Sequence, residues 1–479
     1  MRTREIYLLS PKQLSPETIA VAFAKTSRSP ESFRDIAAEL SDEKSAKFHE
    51  KWVVGSGHAS VAEPAVLHIA FETVSRVAIE SIESNRLASY TEKSTRYQKW
   101  GTDDFTIPPE LEDHALKVEY MNTVRMLFQT YADSLAPMRA LIEKKTPRRE
   151  NETEEAWDRR VRSQYVDTCR FLLPAAALAN VGMTINARAL EHAIRKMLSH
   201  SLTEVRQIGE QVKEVAKVEV PTLVKYADAV PYLIETTKEL SHGDTESQRG
   251  IISSHPRGTA AGNWCTLIDY DREGENKVLA AALYRFSGIT FEDALTRAQK
   301  MSADERAQLA ESLFKHLDRF DEPLRELEYA TYTFDFVMDQ GAYAEFKRHR
   351  MMTQTPQLLT TRLGYAIPRL ITEAGFGSAY KAAMEQAAHM YEKLAAFNPQ
   401  VAQYIVPNGF NRRVLAQFNL RSAYHFCQLR SAPNAHYSIR KIAERVAEEL
   451  QRVHPLLSAH IDLPEEKWQD VQETYFTAV

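Results

Sequence analysis

The sequence predicts an α+β fold in two tandem domains, and three observations predict it. One pattern of residues recurs in each half of the chain. Short stretches of strand-like alternation sit among longer stretches of helical spacing. No glycine loop of a parallel nucleotide-binding sheet is present. The 479 residues, 44% hydrophobic and 26% charged, can bury a large core and suit two or more domains rather than one.

The repeat comes first, because it changes the meaning of every later residue. IAVAFAKTSRSPESFRDIAAELSDEKSAKF, from Ile19, lines up with LAAALYRFSGITFEDALTRAQKMSADERAQL, from Leu279, and sets Ser27 against Ser287. Toward the close of each half, INARALEHAIRKMLSHSLTEVRQIGEQV matches FNLRSAYHFCQLRSAPNAHYSIRKIAERV, with Asn186 and Arg188 against Asn419 and Arg421. The polar stretch ETTKELSHGDTESQRGIISSHPRGTAAGN between them reads as a linker. The boundary is therefore placed near residue 240, giving domains 1–240 and 241–479.

The period of the apolar residues changes in the same order in each half. Tyr332, Phe334 and Phe336 alternate with Thr331, Thr333 and Asp335, the two-residue period of a strand with one buried face. Ile439, Ile442, Ala443, Val446 and Leu450, like Val205, Ile208, Val212 and Val215, follow helical spacing, so each half closes on a helix. Strand segments near 66–74 and 329–338, set among longer helical stretches, argue for α+β packing rather than a parallel βαβ series. No GxGxxG or GxxxxGK[ST] follows a strand.

Composition narrows the function. A net charge of −5 and a pI near 6.3 exert no global pull toward nucleic acid or acidic membranes, so anionic ligands must be held by local basic clusters. Three cysteines, Cys169, Cys265 and Cys427, show no CxxC and no metal-site spacing, which fits a reducing compartment and core packing; no metal is expected. The start MRTREIYLLSPK has no signal-peptide core, and the longest mostly apolar stretch, around Leu172 to Met183, is too short to span a bilayer. A cytoplasmic protein is expected, with no membrane and no nucleic-acid partner.

Two constellations carry chemistry. HASVAE (His58 to Glu63) is followed by SNRLASYTEKSTRY (Ser84 to Tyr97). Glu92, Ser94 and Arg96 alternate, so an extended segment puts a carboxylate, a hydroxyl and a guanidinium on one side. Such a trio suits a phosphate and a sugar, because Arg grips phosphate through paired charge-assisted hydrogen bonds; a solvated polar loop is the plainer reading. The second constellation, KRHRMMTQTPQ (Lys347 to Gln357), is a basic run after an apolar strand, and a solvated face, an RNA-binding patch and an anion pocket all fit it.

Together these segments resemble the flavin-dependent thymidylate synthases (ThyX), whose signature has the form RHRxxSxNExSxRY. The match is divided. The first half keeps Ala88, Ser89, Glu92, Ser94, Arg96 and Tyr97 in register but has Ser84-Asn85-Arg86 in place of Arg-His-Arg. The second half keeps Arg348-His349-Arg350 but has Pro356, Leu358 and Thr360 in place of the Glu, Ser and Arg. Arg170, in CRFLLP, matches an arginine that contacts nucleotide in the family, where the second half has Gln403. Arg430, eleven residues after Asn419, falls on the arginine regarded as catalytic; in the first half that place falls on Lys196 or Met197, with Arg195 a weak substitute.

The resemblance implies two ThyX-like domains, each of mixed helices and an antiparallel sheet, and an FAD-dependent enzyme that methylates dUMP at C5. NADPH and methylenetetrahydrofolate are the co-substrates. Another pyrimidine nucleotide, UMP or dCMP, or a non-catalytic nucleotide-binding role, are the alternatives. It implies Arg430 as the catalytic residue and Glu92, Ser94, Thr95, Arg96, Arg170, Arg348 and Arg430 as the nucleotide site. FAD is assigned to His58, Ser60, Glu92, Arg348, His349, Arg350, Met351, Asn419, Arg421 and His425, while His436 replaces a frequent Gln. Because the family's sites lie between subunits of a tetramer, two fused copies specialise so that residues from both complete one site, and a homodimer forms a pseudo-tetramer.

Overall fold

The computed structural model of the chain describes residues 7, 9–26, 29, 31–54, 58–95, 100–251, 264–318 and 321–477, without the side chains of residues 54 and 242–251. Its described residues form two compact units, each drawn from several stretches of the chain. Unit 1 comprises Met1–Thr95, Asp104–Lys117 and Ala176–His255; unit 2 comprises Arg96–Asp103, Val118–Ala175 and Pro256–Val479. Both mix helices with an antiparallel sheet, as the α+β expectation requires.

Among the described residues, unit 1 holds three strands, β1 (Val66–Ser75), β2 (Ala88–Glu92) and β3 (Leu178–Asn186), in the antiparallel order β1-β3-β2. Leu67, Ile69 and Phe71 of β1 and Ala179, Val181, Met183 and Ile185 of β3 are buried and their neighbours are not, the alternation of a sheet with one covered face. Unit 2 holds β4 (Cys265–Tyr270), β5 (Thr331–Asp339), β6 (Thr353–Pro356) and β7 (Asn411–Asn419), in the antiparallel order β4-β5-β7-β6. The order β5-β7-β6 repeats β1-β3-β2, and β4 adds an edge. Register repeats too, since Asn186 lies opposite Val66 and Asn419 opposite Thr331.

A shared device joins strand to helix in both units. The last residue of the strand is itself the N-cap of the next helix: Ser75, Asn186, Asp339 and Asn419 each keep extended dihedrals while the side chain accepts a backbone N–H three residues on. Extended dihedrals are what a cap needs and what a strand already has, so no loop is required. In this way β7 leads directly into the helix Leu420–Ser431, which carries Arg430, and β5 into the helix Gln340–Phe346, which precedes the basic run.

The core of unit 2 is aromatic. Phe334 stacks on Phe336 and Phe418 at 5.3 and 5.4 Å, and Phe346 meets Phe426 edge-on at 5.3 Å. Burying one such ring stabilises by roughly 1.5–3 kcal/mol. The closing helix Tyr437–Val453 buries Ile439, Ile442, Ala443, Val446 and Leu450, and the helix Thr203–Ala216 buries Val205, Ile208 and Val212. Val215 departs from its expected stripe and is 58% exposed, with Ala216 buried instead.

The stretch read as a linker begins as the helix Pro231–Ile251, since ETTKEL contains good helix formers and no breaker; residues 252–263 lie outside the described residues. No helix among the described residues is long and apolar enough to cross a membrane.

Candidate functional site

The most developed polar site lies within unit 2. The helix Gln340–Phe346 buries Ala342, Tyr343 and Phe346, which leaves Glu345 beside the covered face with its side chain 15% exposed. The chain then turns through Arg348-His349-Arg350 into β6. That turn is fixed by Gln354, whose Nε2 donates to the carbonyls of His349 and Phe346 at 3.0 and 3.3 Å. The His349 ring is buried edge-on against Phe426, centroids 5.0 Å apart.

Arg430, in the last turn of its helix, reaches this turn. Its Nε donates to His349 Nε2 at 3.0 Å and its Nη1 to Glu345 Oε2 at 2.8 Å. A guanidinium has no acceptor, so the network assigns a lone pair to His349 Nε2 and a neutral ring. Burial pushes the His349 pKa down to about 3, helped by the charges of Arg430, His425 and Arg348. Burial also lowers the pKa of Arg430, against which Glu345 acts.

Residues from the first half of the sequence meet the same carboxylate. Arg170 Nη2 lies 3.8 Å from Glu345 Oε1 and 3.2 Å from Asp167 Oδ1. Second-half residues hold this segment in place. Asn408 Nδ2 donates to the Arg170 carbonyl at 3.1 Å, and His436 Nε2 contacts the Asp167 carbonyl at 3.2 Å. Because Ser438 N–H donates to His436 Nδ1, the network assigns the His436 proton to Nε2, and burial lowers the ring's pKa.

The backbones around this cluster pair reciprocally. Ala175 N–H donates to the Val406 carbonyl and Asn408 N–H to the Leu173 carbonyl, both at 3.0 Å, with a bridge between Pro174 and Pro407. CRFLLP and QYIVP are the matching segments of the two halves, so this exchange has the form of a two-fold contact made inside one chain. Gly409 is needed there, since a Cβ would stand 2.6 Å from Tyr380 Oη and 3.2 Å from a Phe171 ring carbon.

The remaining expected residues fall in several places. Arg348 and His425 are exposed, Arg350 is half-buried, and Met351 is 78% exposed; the His425 ring stands 5.7 Å from His349. Asn419 spends its side chain capping the helix of Arg430. Arg421 is engaged by Glu322, Glu328 and the Pro323 carbonyl, outside the Arg430 cluster.

In unit 1, β2 ends at Glu92, so the alternation through Ser94 is not carried by a strand; Thr95 is buried, Ser94 is half-buried, and Arg96 lies outside the described residues. The Glu92 side chain, 4% exposed, pairs with Arg76 Nη1 at 3.1 Å. His58 and Ser60 are exposed on a cleft of ≈ 630 Å³ within unit 1, whose apolar walls include Phe23, Phe48 and Trp52.

Unit 1 contains a counterpart of the Arg430–His349 contact. Lys196 Nζ donates to Asn85 Oδ1 at 2.9 Å and to Ser84 Oγ, so Lys196 stands to Ser84-Asn85-Arg86 as Arg430 stands to Arg348-His349-Arg350. Met197, the other candidate for that place, is 1% exposed core. Burial lowers the Lys196 pKa to about 8.

Sequence reasoning missed Glu345, Asp167, Asn408 and Arg76. The available signal for Glu345 was one carboxylate three residues before Arg348 on a short helix. All three cysteines are buried, and burial raises their thiols, that of Cys169 to about 12, which removes them as nucleophiles. Among the described residues no group of three or more His, Cys, Asp and Glu is placed to hold a metal ion.

Against known proteins, the model of the family "thymidylate synthase complementing protein" matches residues 9–222 and 266–456. A UPF0159 protein of Chlamydia muridarum (strain MoPn / Nigg) is 32% identical over 446 residues, covering 91% of this chain and 83% of the relative. One from Chlamydia pneumoniae is 31% identical over 428 residues, 87% and 80% of the two chains. A flavin-dependent thymidylate synthase of Clostridium tetani (strain Massachusetts / E88) is 28% identical over 219 residues, 44% of this chain and 82% of the relative. The first two relatives match nearly the whole chain under names that state no reaction. The third matches less than half of the chain yet most of its own length.

Proposed function

Since the chain belongs to the thymidylate synthase complementing protein family, we propose that it is a flavin-dependent thymidylate synthase-like enzyme. It methylates dUMP at C5 with methylenetetrahydrofolate as carbon donor and NADPH as reductant, in sites to which both halves contribute. The observation that carries this reading is the convergence of Arg170, from the first half, and Arg430, from the second, on Glu345.

Methyl transfer to C5 requires negative charge to develop on the uracil ring, and a fixed guanidinium beside its oxygens stabilises that charge without reorganising. Arg430 suits this role because His349 and Glu345 hold two of its nitrogens in place. Arg170 and Arg348 bind the nucleotide beside it. His349 positions Arg430 and excludes water from it.

The residues of this chain fit a flavin. The cleft of ≈ 630 Å³ with Trp52, Phe48, His58 and Ser60 on its walls lies within the size range of cofactor pockets, about 300–1,000 Å³, and offers both apolar faces and polar atoms. His58 and Ser60 would hold FAD there. When bound and reduced by NADPH, FAD would supply the two electrons needed to reduce a transferred methylene to a methyl group. The buried thiols leave no protein nucleophile for a covalent route through cysteine.

The test is the rate of NADPH oxidation by FAD-loaded protein with dUMP, UMP or dCMP present. The reading expects stimulation by dUMP above the other two. Protein that stays colourless after incubation with FAD sinks it, and stimulation by UMP or dCMP alone moves the substrate to that nucleotide.

A further inference from the structure

We infer that Glu345 is a positioning residue that acts as a built-in counter-anion, fixing Arg430 and tying it to Arg170 so that the two guanidinium groups are aligned before a nucleotide arrives. This rests on the functional reading above for the roles of the two arginines, and on geometry for the rest.

Four charged side chains form the cluster: Asp167, Arg170, Glu345 and Arg430, with ion-pair distances of 3.2, 3.8 and 2.8 Å along the row. None is more than 15% exposed. The buried charges cancel, and the two histidines packed against them, His349 and His436, are held neutral by burial. A buried guanidinium without a counter-charge carries a large desolvation penalty, which Glu345 offsets for Arg430 and shares with Asp167 for Arg170.

The two oxygens of Glu345 are used unequally. Oε2 makes a hydrogen bond with Arg430, whereas Oε1 stands at ion-pair distance from Arg170. An oxyanion arriving at Arg170 therefore competes with Oε1, and as that contact weakens the carboxylate is left to Arg430. Nucleotide binding at one arginine is in this way coupled to the orientation of the other.

This cluster separates binding from turnover. Glu345→Gln preserves shape but removes one negative charge, so the cluster carries net positive charge. An anionic ligand then meets less internal competition, while Arg430 loses a charge-assisted hydrogen bond worth about tenfold or more in the rate. Glu345→Asp keeps the charge on a shorter stem and recovers part of the alignment.

Three readouts test the inference. Titration with dUMP, and with inorganic phosphate, reads binding; dUMP-stimulated NADPH oxidation reads turnover; and phenylglyoxal labelling of Arg430, followed by mass spectrometry, reads how firmly Glu345 holds that guanidinium without any ligand. For Glu345→Gln the expected results are dUMP binding at least as tight as wild type, kcat lower by about tenfold or more, and faster labelling of Arg430, with Glu345→Asp between the two. Unchanged labelling overturns the inference, as does a fall of dUMP affinity in step with kcat. If the wild-type protein shows no dUMP-stimulated turnover, the proposed function fails while the labelling still judges Glu345.

Discussion

Arg430 is held at two of its nitrogens, by His349 and Glu345, and that preorganisation is what the proposed chemistry requires. Lysine donates from a single nitrogen on a flexible stem, so it cannot reproduce the planar fork in which Arg430 Nε and Nη1 hold His349 and Glu345 at fixed angles. Arg430→Lys is expected to lower kcat by about 10²–10³, the usual cost of removing one preorganised donor, with a smaller effect on dUMP affinity; single-turnover flavin oxidation measures it. His349 makes a different prediction. Its folded pKa of about 3 lies below the ordinary histidine value, so the unfolded chain takes up the proton first. Stability is therefore full above about pH 6.5 and is lost as pH falls toward about 3. His200, lowered to about 4 by burial, acts in the same direction. His349→Asn keeps an acceptor for Arg430, as Asn85 does for Lys196, and removes the titrating ring. Melting temperatures recorded across this pH range should fall less steeply for the variant; an unchanged slope would show that His349 does not carry the effect.

At the scale of elements, the strand-to-helix junctions set where the functional side chains begin. Asn186→Ala and Asn419→Ala should each cost about 1 kcal/mol, read by denaturant unfolding. Only Asn419→Ala should also slow turnover, because only its helix carries an arginine at the site. Gly409→Ala forces a Cβ into Tyr380 and Phe171, so it should destabilise by roughly 1–3 kcal/mol and weaken dUMP binding by displacing the segment that bears Arg170. Much of this level was legible in the sequence. The alternation of Tyr332, Phe334 and Phe336 marked β5 to within two residues, and the apolar stripe of Ile439 to Leu450 marked the closing helix, because both periods arise from burial of one face. The helix over Pro231–Ile251 was not legible, since its polar residues give no buried stripe and composition alone suggested a linker. Nor was Glu345, because a lone acid on a short helix ordinarily faces water, and only the tertiary fold brings Arg170 to it. The diversion of Arg421 to Glu322 and Glu328 has the same cause, as both partners lie about a hundred residues away in sequence and carry no motif.

For the whole molecule, the central feature is that Val118–Ala175 belongs to the same compact unit as Pro256–Val479. Nothing in the sequence marked this association, which includes backbone pairing between Leu173–Ala175 and Val406–Asn408 and leaves no compositional trace. The consequence concerns where a site is completed. Arg170 and Arg430 converge on Glu345 within a single chain, so under the proposed function a chain that lacks either arginine should not be repaired by a neighbour that lacks the other. The most direct measurement mixes Arg170→Ala chains with Arg430→Ala chains by co-expression and records dUMP-dependent NADPH oxidation against the wild-type rate. The expected result is activity no higher than that of either variant alone. Recovery of a substantial fraction of the wild-type rate in the mixture would contradict it, placing the two arginines of a working site on different chains.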